Sequence, residues 1–169
     1  MLIILARKNE GKRFEEDFKN SIPNDMFIYR LNDNVGAWGG GNKTSFSSSN
    51  ICDYILYQYP TLILLELKSF KGKSIPLSNI RENQLKGLQD SSDFKGVIAG
   101  FIFNCRTVGE TYFLTSEQVI YFVKNNTRKS IPISYLRNNG IKIEQTLKRV
   151  RYTYNIANFV SDLKQYKAY

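Results

Sequence analysis

The segment CDYILYQYPTLILLELKSF, residues 52–70, places three charged side chains within two apolar runs. This pattern predicts two β-strands joined by a turn at Gln58-Tyr59-Pro60, because a proline suits a turn better than a strand interior. Charged groups are costly in an apolar hairpin unless they are paired or bind a metal. Asp53, Glu66 and Lys68 are therefore candidate active-site residues.

The pairing across this hairpin determines which side chains meet. Alternate residues of a strand share a face, so Glu66 and Lys68 point the same way. If the hairpin closes symmetrically about Tyr59 and Pro60, without a bulge, Asp53 lies opposite Glu66 with Cβ atoms about 4.5–5.5 Å apart. Two carboxylates this close repel unless a cation lies between them, and such ligands suit Mg²⁺ or Mn²⁺. Lys68 would lie at the edge of the metal site, where it could stabilise negative charge or position a water.

The alternative interpretation is a strand pair whose polar residues face solvent. Leu62 and Leu64 share the face of Glu66, and this arrangement argues against a solvated face. The matching Asp53 on the partner strand argues against it further. The solvated-face interpretation stays open on these residues alone.

The length and hydropathy of the chain favour one domain, residues 1–169. A chain of 169 residues can bury a substantial core. No apolar run is long enough to span a bilayer, and residues 1–6 are too short for the apolar core of a signal peptide. We therefore expect a cytoplasmic protein of a bacterial or phage-infected cell, with no membrane partner.

The residue types exclude several kinds of chemistry. The chain has no histidine, which excludes Ser-His-Asp and Cys-His mechanisms and histidine-based zinc sites. Two cysteines, Cys52 and Cys105, cannot build a four-cysteine zinc site. We expect Cys52 to be a small core residue on the face opposite Asp53. Any catalysis therefore rests on carboxylates, lysines, hydroxyls, amides and a bound metal.

The excess of basic residues indicates a polyanionic partner. Lysine and arginine number 24 against 15 acidic residues, which gives a net charge of +9. Nucleic acid is favoured over a membrane surface, because no basic segment has a clear amphipathic anchor beside it. Each basic cluster alone is typical of a solvated surface, and only their sum favours DNA or RNA. The clusters are Arg7-Lys8, Lys12-Arg13, Lys71-Lys73, Arg128-Lys129 and Lys148-Arg151.

Residues 32–50 interrupt the alternation of helices and strands. The segment is rich in Gly, Asn and Ser and contains Trp38, the single tryptophan of the chain. It is predicted to be a flexible, stalk-like insertion, and long loops of this kind are usually functional or disordered. Trp38 could stack on a base, pack back on the domain or meet a partner subunit.

The remaining patterns predict an α/β domain around a mixed sheet. The predicted helices begin at Asn9 or Gly11, at a capping box Asn79-x-x-Glu82, at Ser116, near Ser134 and after Asn155. The predicted strands cover 27–31, 51–57, 61–70, 96–103 and 112–115, while 140–154 is ambiguous and expected to be extended.

Taken in order, several segments resemble the PD-(D/E)XK nuclease superfamily, and most closely the RecU-type Holliday junction resolvases in a short, phage-like form. Glu-x-Lys alone is a weak signal, but the ordered set over most of the chain is fairly specific. The matching segments are GKRFEEDF (11–18), CDY (52–54), Glu66-Leu67-Lys68, SIPL (74–77), Gln84 and RKSI (128–131).

The resemblance implies a restriction-endonuclease-like core, with a mixed central sheet flanked by helices and a projecting stalk loop. It also implies a homodimer that cuts four-way DNA junctions by paired nicks, using Mg²⁺ for which Mn²⁺ would substitute. The residues also leave open a nuclease of restriction or repair type, or a non-catalytic DNA-binding module. The insertion is shorter and richer in glycine than the stalk of typical bacterial members, so the contacts of its residues are left open.

The resemblance assigns roles to individual residues. Asp53 and Glu66 would bind the metal, with the backbone carbonyl of Leu67 as a further ligand. Lys68 would orient the attacking water or stabilise the transition state, and Gln84 would position water or phosphate. Glu15 would complete the acidic cluster from the first helix, with Glu16 as the alternative register. The candidate nucleic-acid-binding residues are Lys12, Arg13, Arg30, Trp38, Lys43, Lys71, Lys73, Arg128 and Lys129.

Overall fold

The computed structural model of the protein describes residues 9–31 and 50–166. The predicted stalk at 32–50, with Trp38 and Lys43, therefore lies outside the described residues except for Asn50. The helices are α1 (Glu10–Asn20), α2 (Glu82–Ser92), α3 (Ser116–Asn125), α4 (Ile133–Asn139) and α5 (Ile156–Tyr166). The strands are β1 (Phe27–Arg30), β2 (Tyr54–Gln58), β3 (Thr61–Phe70), β4 (Ser74–Pro76), β5 (Val97–Cys105), β6 (Glu110–Thr115), β7 (Ser130–Pro132), β8 (Ile141–Lys142), β9 (Gln145–Lys148) and β10 (Arg151–Tyr154).

A six-stranded sheet in the order β1-β2-β3-β5-β6-β8 forms the centre of the fold. Strands β3 and β5 pair in parallel, and the other neighbours in this sheet pair antiparallel. Helices α1 and α5 pack on one face with Phe14, Phe18 and Phe159 in the core. Helices α2, α3 and α4 contribute to the core on the other face. The predicted α/β architecture, with a mixed sheet flanked by helices, is confirmed.

The β2–β3 hairpin follows the register that symmetric closure predicts. Gln58 pairs with Thr61, and the pairing continues to Tyr54 opposite Leu65. Strand β2 begins three residues later than predicted. The chain bends at Asp53, whose carboxylate accepts a hydrogen bond from the Leu67 amide of β3. The Asp53 backbone still joins both neighbours, because its carbonyl accepts from the Leu31 amide at 2.9 Å and its amide donates to the Leu65 carbonyl at 3.0 Å.

Two local predictions are wrong. Asn79 does not cap α2, because it ends a 3-10 helix, Leu77–Asn79, and Arg81 occupies the N-cap position without a side-chain hydrogen bond. Cys52 is buried as expected, but it packs in the cluster of Leu64 on the Glu66 side of the sheet. It precedes β2, so strand alternation does not govern its direction.

Two small sheets complete the structure. Strand β4 pairs antiparallel with β7, and β9 pairs antiparallel with β10. The chain between α4 and α5 is thus extended, as expected, and Asn155 caps α5 by accepting a hydrogen bond from the Asn158 amide at 3.2 Å. No helix in residues 9–31 and 50–166 is both long enough and apolar enough to cross a membrane.

Candidate active site

Glu66 lies at the centre of a small polar cluster inside the sheet. Its side chain is buried, with an exposed fraction of 2% for the residue. One carboxylate oxygen, Oε1, accepts hydrogen bonds from Lys68 Nζ at 2.7 Å and from Gln84 Nε2 at 2.6 Å. Lys68 Nζ also donates to Gln84 Oε1 at 3.2 Å. The three side chains therefore hold each other in a closed triangle.

The three side chains come from strand β3 and helix α2. Glu66 and Lys68 are two residues apart on β3 and share a face, as the alternation of the strand predicts. Gln84 comes from α2, where it is one of the buried residues of a largely polar helix. A buried glutamine requires hydrogen-bond partners, and the Glu66–Lys68 pair supplies them on both sides of the amide.

Asp53 approaches the same carboxylate from the hairpin. Its Oδ2 accepts a hydrogen bond from the Leu67 amide at 2.7 Å. Burial, and next the negative charge of Glu66, raise the pKa of Asp53 to about 7, although the Leu67 amide acts in the opposite direction. Burial also raises the pKa of Glu66, against the effects of Lys68 and Gln84. The charge of Glu66 thus makes ionisation of Asp53 more costly, and a cation bound between the two carboxylates would offset that cost.

The second oxygen of Glu66 supports a cation site. Glu66 Oε2 is buried and has no hydrogen-bond partner among the described residues. An unsatisfied buried acceptor is costly, and hard carboxylate oxygens suit a divalent cation. No group of three or more acidic or cysteine side chains within residues 9–31 and 50–166 is arranged to hold a metal. Asp53 and Glu66 are thus a pair of carboxylates, and one or two carboxylates are a common ligand set for Mg²⁺, which keeps several of its waters.

Helix α1 carries the two alternative acidic residues. Glu15 Oε2 accepts a hydrogen bond from Arg30 Nη2 at 2.9 Å, and the charge of Glu15 contributes to the raised pKa of Asp53. Glu16 instead pairs with Arg151 at 2.5 Å. The structure therefore brings Glu15 towards the Asp53 site and directs Glu16 elsewhere. It also places Arg30 in an ion pair at this site.

Arg81 is a basic residue of the site that the sequence did not indicate. Its positive charge lowers the pKa of Glu66, so the guanidinium lies within electrostatic reach of the carboxylate. Arg81 is exposed and lies three residues before Gln84, at the N-cap of α2. The one available signal was this helical spacing, which directs both side chains to a similar face.

The β4–β7 sheet gathers four of the predicted nucleic-acid-binding residues. The Ile133 amide donates to the Lys73 carbonyl and the Leu77 amide donates to the Lys129 carbonyl, both at 2.9 Å. Lys71 and Arg128 flank these residues, and all four basic side chains are exposed. Two basic clusters that are far apart in the chain therefore form one surface. Lys12 and Arg13 lie separately, on α1.

We predict that the raised pKa of Asp53 makes the stability of the folded protein depend on pH. Its pKa is raised from 3.8 to about 7, so the folded protein binds more protons than the unfolded chain between these values. The free energy of unfolding of the metal-free protein should therefore fall as pH rises from about 4 to about 7. Asp53→Asn should flatten this fall. Urea unfolding in EDTA at pH 5 and pH 8 gives the free energy of unfolding of both proteins. If the variant loses as much stability between these pH values as wild type, Asp53 is not the group responsible.

Several known proteins resemble this chain over most of its length. The family model described as Recombination protein U matches residues 18–158, so Glu15 lies just outside the match. The SPbeta prophage-derived uncharacterized protein YotM of Bacillus subtilis (strain 168) is 29% identical over 94% of this chain and 89% of its own length. The Holliday junction resolvase RecU of Mycoplasmopsis pulmonis (strain UAB CTIP) is 31% identical over 83% of this chain and 88% of its own length. Among solved structures, Hjc of Archaeoglobus fulgidus, a Holliday junction resolvase, covers 78% of this chain and 95% of its own, with a TM-score of 0.49 and 16% identity.

Proposed function

Because the chain belongs to the Recombination protein U (RecU) family, we propose that it is a divalent-metal-dependent DNA endonuclease that resolves four-way junctions. The relative from Mycoplasmopsis pulmonis, which matches most of both chains, is named a Holliday junction resolvase. One structural observation carries the proposal of metal-dependent cleavage. The buried Glu66 Oε2 has no partner among the described residues, and it belongs to a carboxylate pair beside Lys68.

The residues of the site fit the chemistry of phosphodiester hydrolysis. Asp53 and Glu66, with the Leu67 carbonyl, would hold Mg²⁺ or Mn²⁺, which when bound polarises the phosphate and lowers the pKa of a bound water. Lys68 offers a positive charge to the phosphate oxygens or a donor that orients the attacking water. Gln84 holds both Lys68 and Glu66 through its amide, so it preserves the separation of the two groups. Glu15 would add negative charge beside Asp53.

The charge distribution supports DNA as the substrate. Lys71, Lys73, Arg128 and Lys129 form an exposed basic surface on the β4–β7 sheet, which suits contacts to DNA phosphates. A homodimer would present two active sites, which is the arrangement that paired nicks across a four-way junction require. The enzyme would act in the cytoplasm of a bacterial or phage-infected cell, where branched DNA arises. Binding should weaken steeply with salt, because basic residues displace counterions from DNA.

A comparison of DNA substrates tests this proposal. The purified protein should nick a labelled four-way junction in Mg²⁺ at paired positions, and it should leave a linear duplex of the same sequence intact. Mn²⁺ should replace Mg²⁺, and EDTA should stop cleavage. A flap substrate in parallel would detect a repair-type nuclease, and equal cutting of the linear duplex would indicate a restriction-type enzyme. Junction binding without cleavage in either metal would indicate a non-catalytic module and would refute the proposal.

A further inference from the structure

A cavity of about 360 Å³ lies between α1, the β5–β6 turn and the β9–β10 hairpin. Its wall includes Asn104, whose side chain hydrogen-bonds Ser69 of β3. Ser69 adjoins Lys68 on the strand, so its side chain points to the opposite face of the sheet. The cavity is therefore separated by the central sheet from Glu66 and Lys68, and it is a distinct feature of the molecule.

A chain of hydrogen bonds orients one amide of this cavity. Ser69 Oγ donates to Asn104 Oδ1 at 3.1 Å, and Asn104 Nδ2 donates to Thr111 Oγ1 at 2.9 Å. Thr111 Oγ1 in turn donates to Gln145 Oε1 at 2.5 Å. Because Gln145 Oε1 accepts this hydrogen bond, the amide nitrogen Nε2 is the atom of Gln145 that can donate to a further partner. It is buried without a hydrogen-bond partner among the described residues, while Gln145 itself lines the cavity.

The charges around the cavity favour an anion. Arg13, Arg106 and Arg149 line it, and none of them takes part in the ion pairs found within residues 9–31 and 50–166. Asp17 also lines the cavity, but its carboxylate is already paired with the Arg151 guanidinium. Asp17 also accepts a hydrogen bond from the Tyr152 amide at 3.1 Å. Glu10 adds one negative charge at the wall, so the positive charges exceed the remaining negative charge.

We propose that this cavity binds a phosphate group of the DNA backbone, on an arm of the junction other than the one being cut. Arginine forks are the donors that match phosphate oxygens, and the Gln145 residue that carries the unpartnered amide nitrogen lines the same cavity. The tip of the β9–β10 hairpin lies beside the cavity and is exposed. Leu147 and Val150 there are 55% and 67% exposed, and they flank the basic residues Lys148 and Arg149. The proposal rests on the proposed function, since a four-way junction has further arms that can reach the face of the protomer opposite Glu66 and Lys68.

A double variant, Arg106→Ala with Arg149→Asn, tests the cavity. Asparagine tolerates the left-handed backbone of residue 149, whose φ is 56°. Junction affinity, measured by fluorescence anisotropy in EDTA, should fall about tenfold or more, and the slope of log K against log salt should decrease by about 2. The charge-matched control is Lys19→Ala with Lys95→Ala, two exposed lysines that do not line the cavity.

A second variant, Gln145→Glu, keeps the acceptor for Thr111 but places a negative charge at the cavity wall. It should also weaken junction binding, while circular dichroism and the melting temperature report whether each variant is folded. Affinity and salt slope equal to those of the control in both variants would overturn the cavity proposal and leave the proposed function intact. A wild-type protein that fails to cut junctions would refute the proposed function instead.

Titration with inorganic phosphate separates the two sources of a phosphate group. Weak binding of free phosphate to wild type, lost in Gln145→Glu and accompanied by the loss of junction affinity, supports a backbone site. Tight phosphate binding that the variant loses, with junction affinity unchanged, would assign the cavity to a small phosphorylated compound and overturn the DNA assignment. Phosphate-induced nuclear magnetic resonance shifts of backbone amides at the cavity wall, such as that of Gly109, give the readout in both proteins.

Discussion

Replacing Glu66 by glutamine is expected to lower the rate of junction cleavage by at least about a thousandfold, equivalent to about 4 kcal/mol of lost transition-state stabilisation. The amide keeps the shape of the side chain and an oxygen for the hydrogen bonds of Lys68 and Gln84. It removes the negative charge that would hold a cation beside Asp53. Junction affinity in EDTA should stay close to the wild-type value, because Glu66 is buried and its replacement removes no exposed positive charge.

The stability of Glu66→Gln distinguishes a catalytic loss from a folding defect. Since the charge of Glu66 raises the pKa of Asp53, its removal relieves a repulsion in the metal-free protein. The lost ion pair with Lys68 opposes this gain, so the melting temperature of the variant in EDTA should stay near that of wild type, and Mg²⁺ should no longer raise it. Wild type should gain stability from Mg²⁺, because a ligand that binds only the folded state stabilises it.

The matched control is Glu82→Gln, which makes the same chemical change in the first turn of α2 at an exposed residue. Single-turnover cleavage of a labelled junction compares the two variants with wild type. The control should cut at the wild-type rate. If Glu66→Gln also cuts at that rate, the assignment of the active site is wrong.

The central hairpin could be predicted because its determinants are local. Alternation of apolar and charged residues fixes the faces of β3, and the short turn at Tyr59-Pro60 leaves one symmetric register. That register predicts Asp53 beside Glu66, and the charge of Glu66 does act on Asp53, although the strand pairing itself ends at Tyr54 opposite Leu65. The helix carboxylate needed more information, because Glu15 and Glu16 are adjacent and the packing of α1 decides which one approaches Asp53.

The parts that could not be predicted depend on distant pairings. Strands β4 and β7 have three residues each, and their contact joins segments more than fifty residues apart. Such short strands carry almost no periodic signal, so the shared surface of Lys73 and Lys129 is visible only in the fold. The place of Arg81 near Glu66 could not be predicted either. The apparent capping box at Asn79 placed the start of α2 too early, whereas Arg81 occupies the actual N-cap.

Replacing Lys68 by alanine is expected to lower the maximal rate of junction cleavage by about a hundredfold or more, through the loss of a positive charge beside the reacting phosphate. The Mg²⁺ concentration that gives half-maximal activity should change far less. Lys68 donates to Glu66 Oε1, whereas Oε2 is the oxygen left without a partner among the described residues. The removal of Lys68 therefore leaves that oxygen in place.

The metal dependence of the variant decides between two roles for this lysine. A lower maximal rate with a nearly unchanged Mg²⁺ midpoint identifies Lys68 as a group that acts on the substrate. A shifted midpoint with a wild-type rate at saturating Mg²⁺ would show instead that Lys68 only positions Glu66, and it would refute the catalytic role. Lys71→Ala, at an exposed lysine three residues along the chain, is the control for lost charge. It should weaken DNA binding and leave the maximal rate at saturating protein intact.

Gln84→Ala completes the test, because Gln84 contacts both Lys68 and Glu66. Removing the amide should free Lys68 Nζ from one of its two partners and lower the rate less than Lys68→Ala does. Side chains that share a hydrogen-bond network do not contribute independently, so the double variant should be hardly slower than Lys68→Ala alone. Rates that multiply in the double variant would mean that Gln84 contacts the substrate itself and does more than hold the lysine.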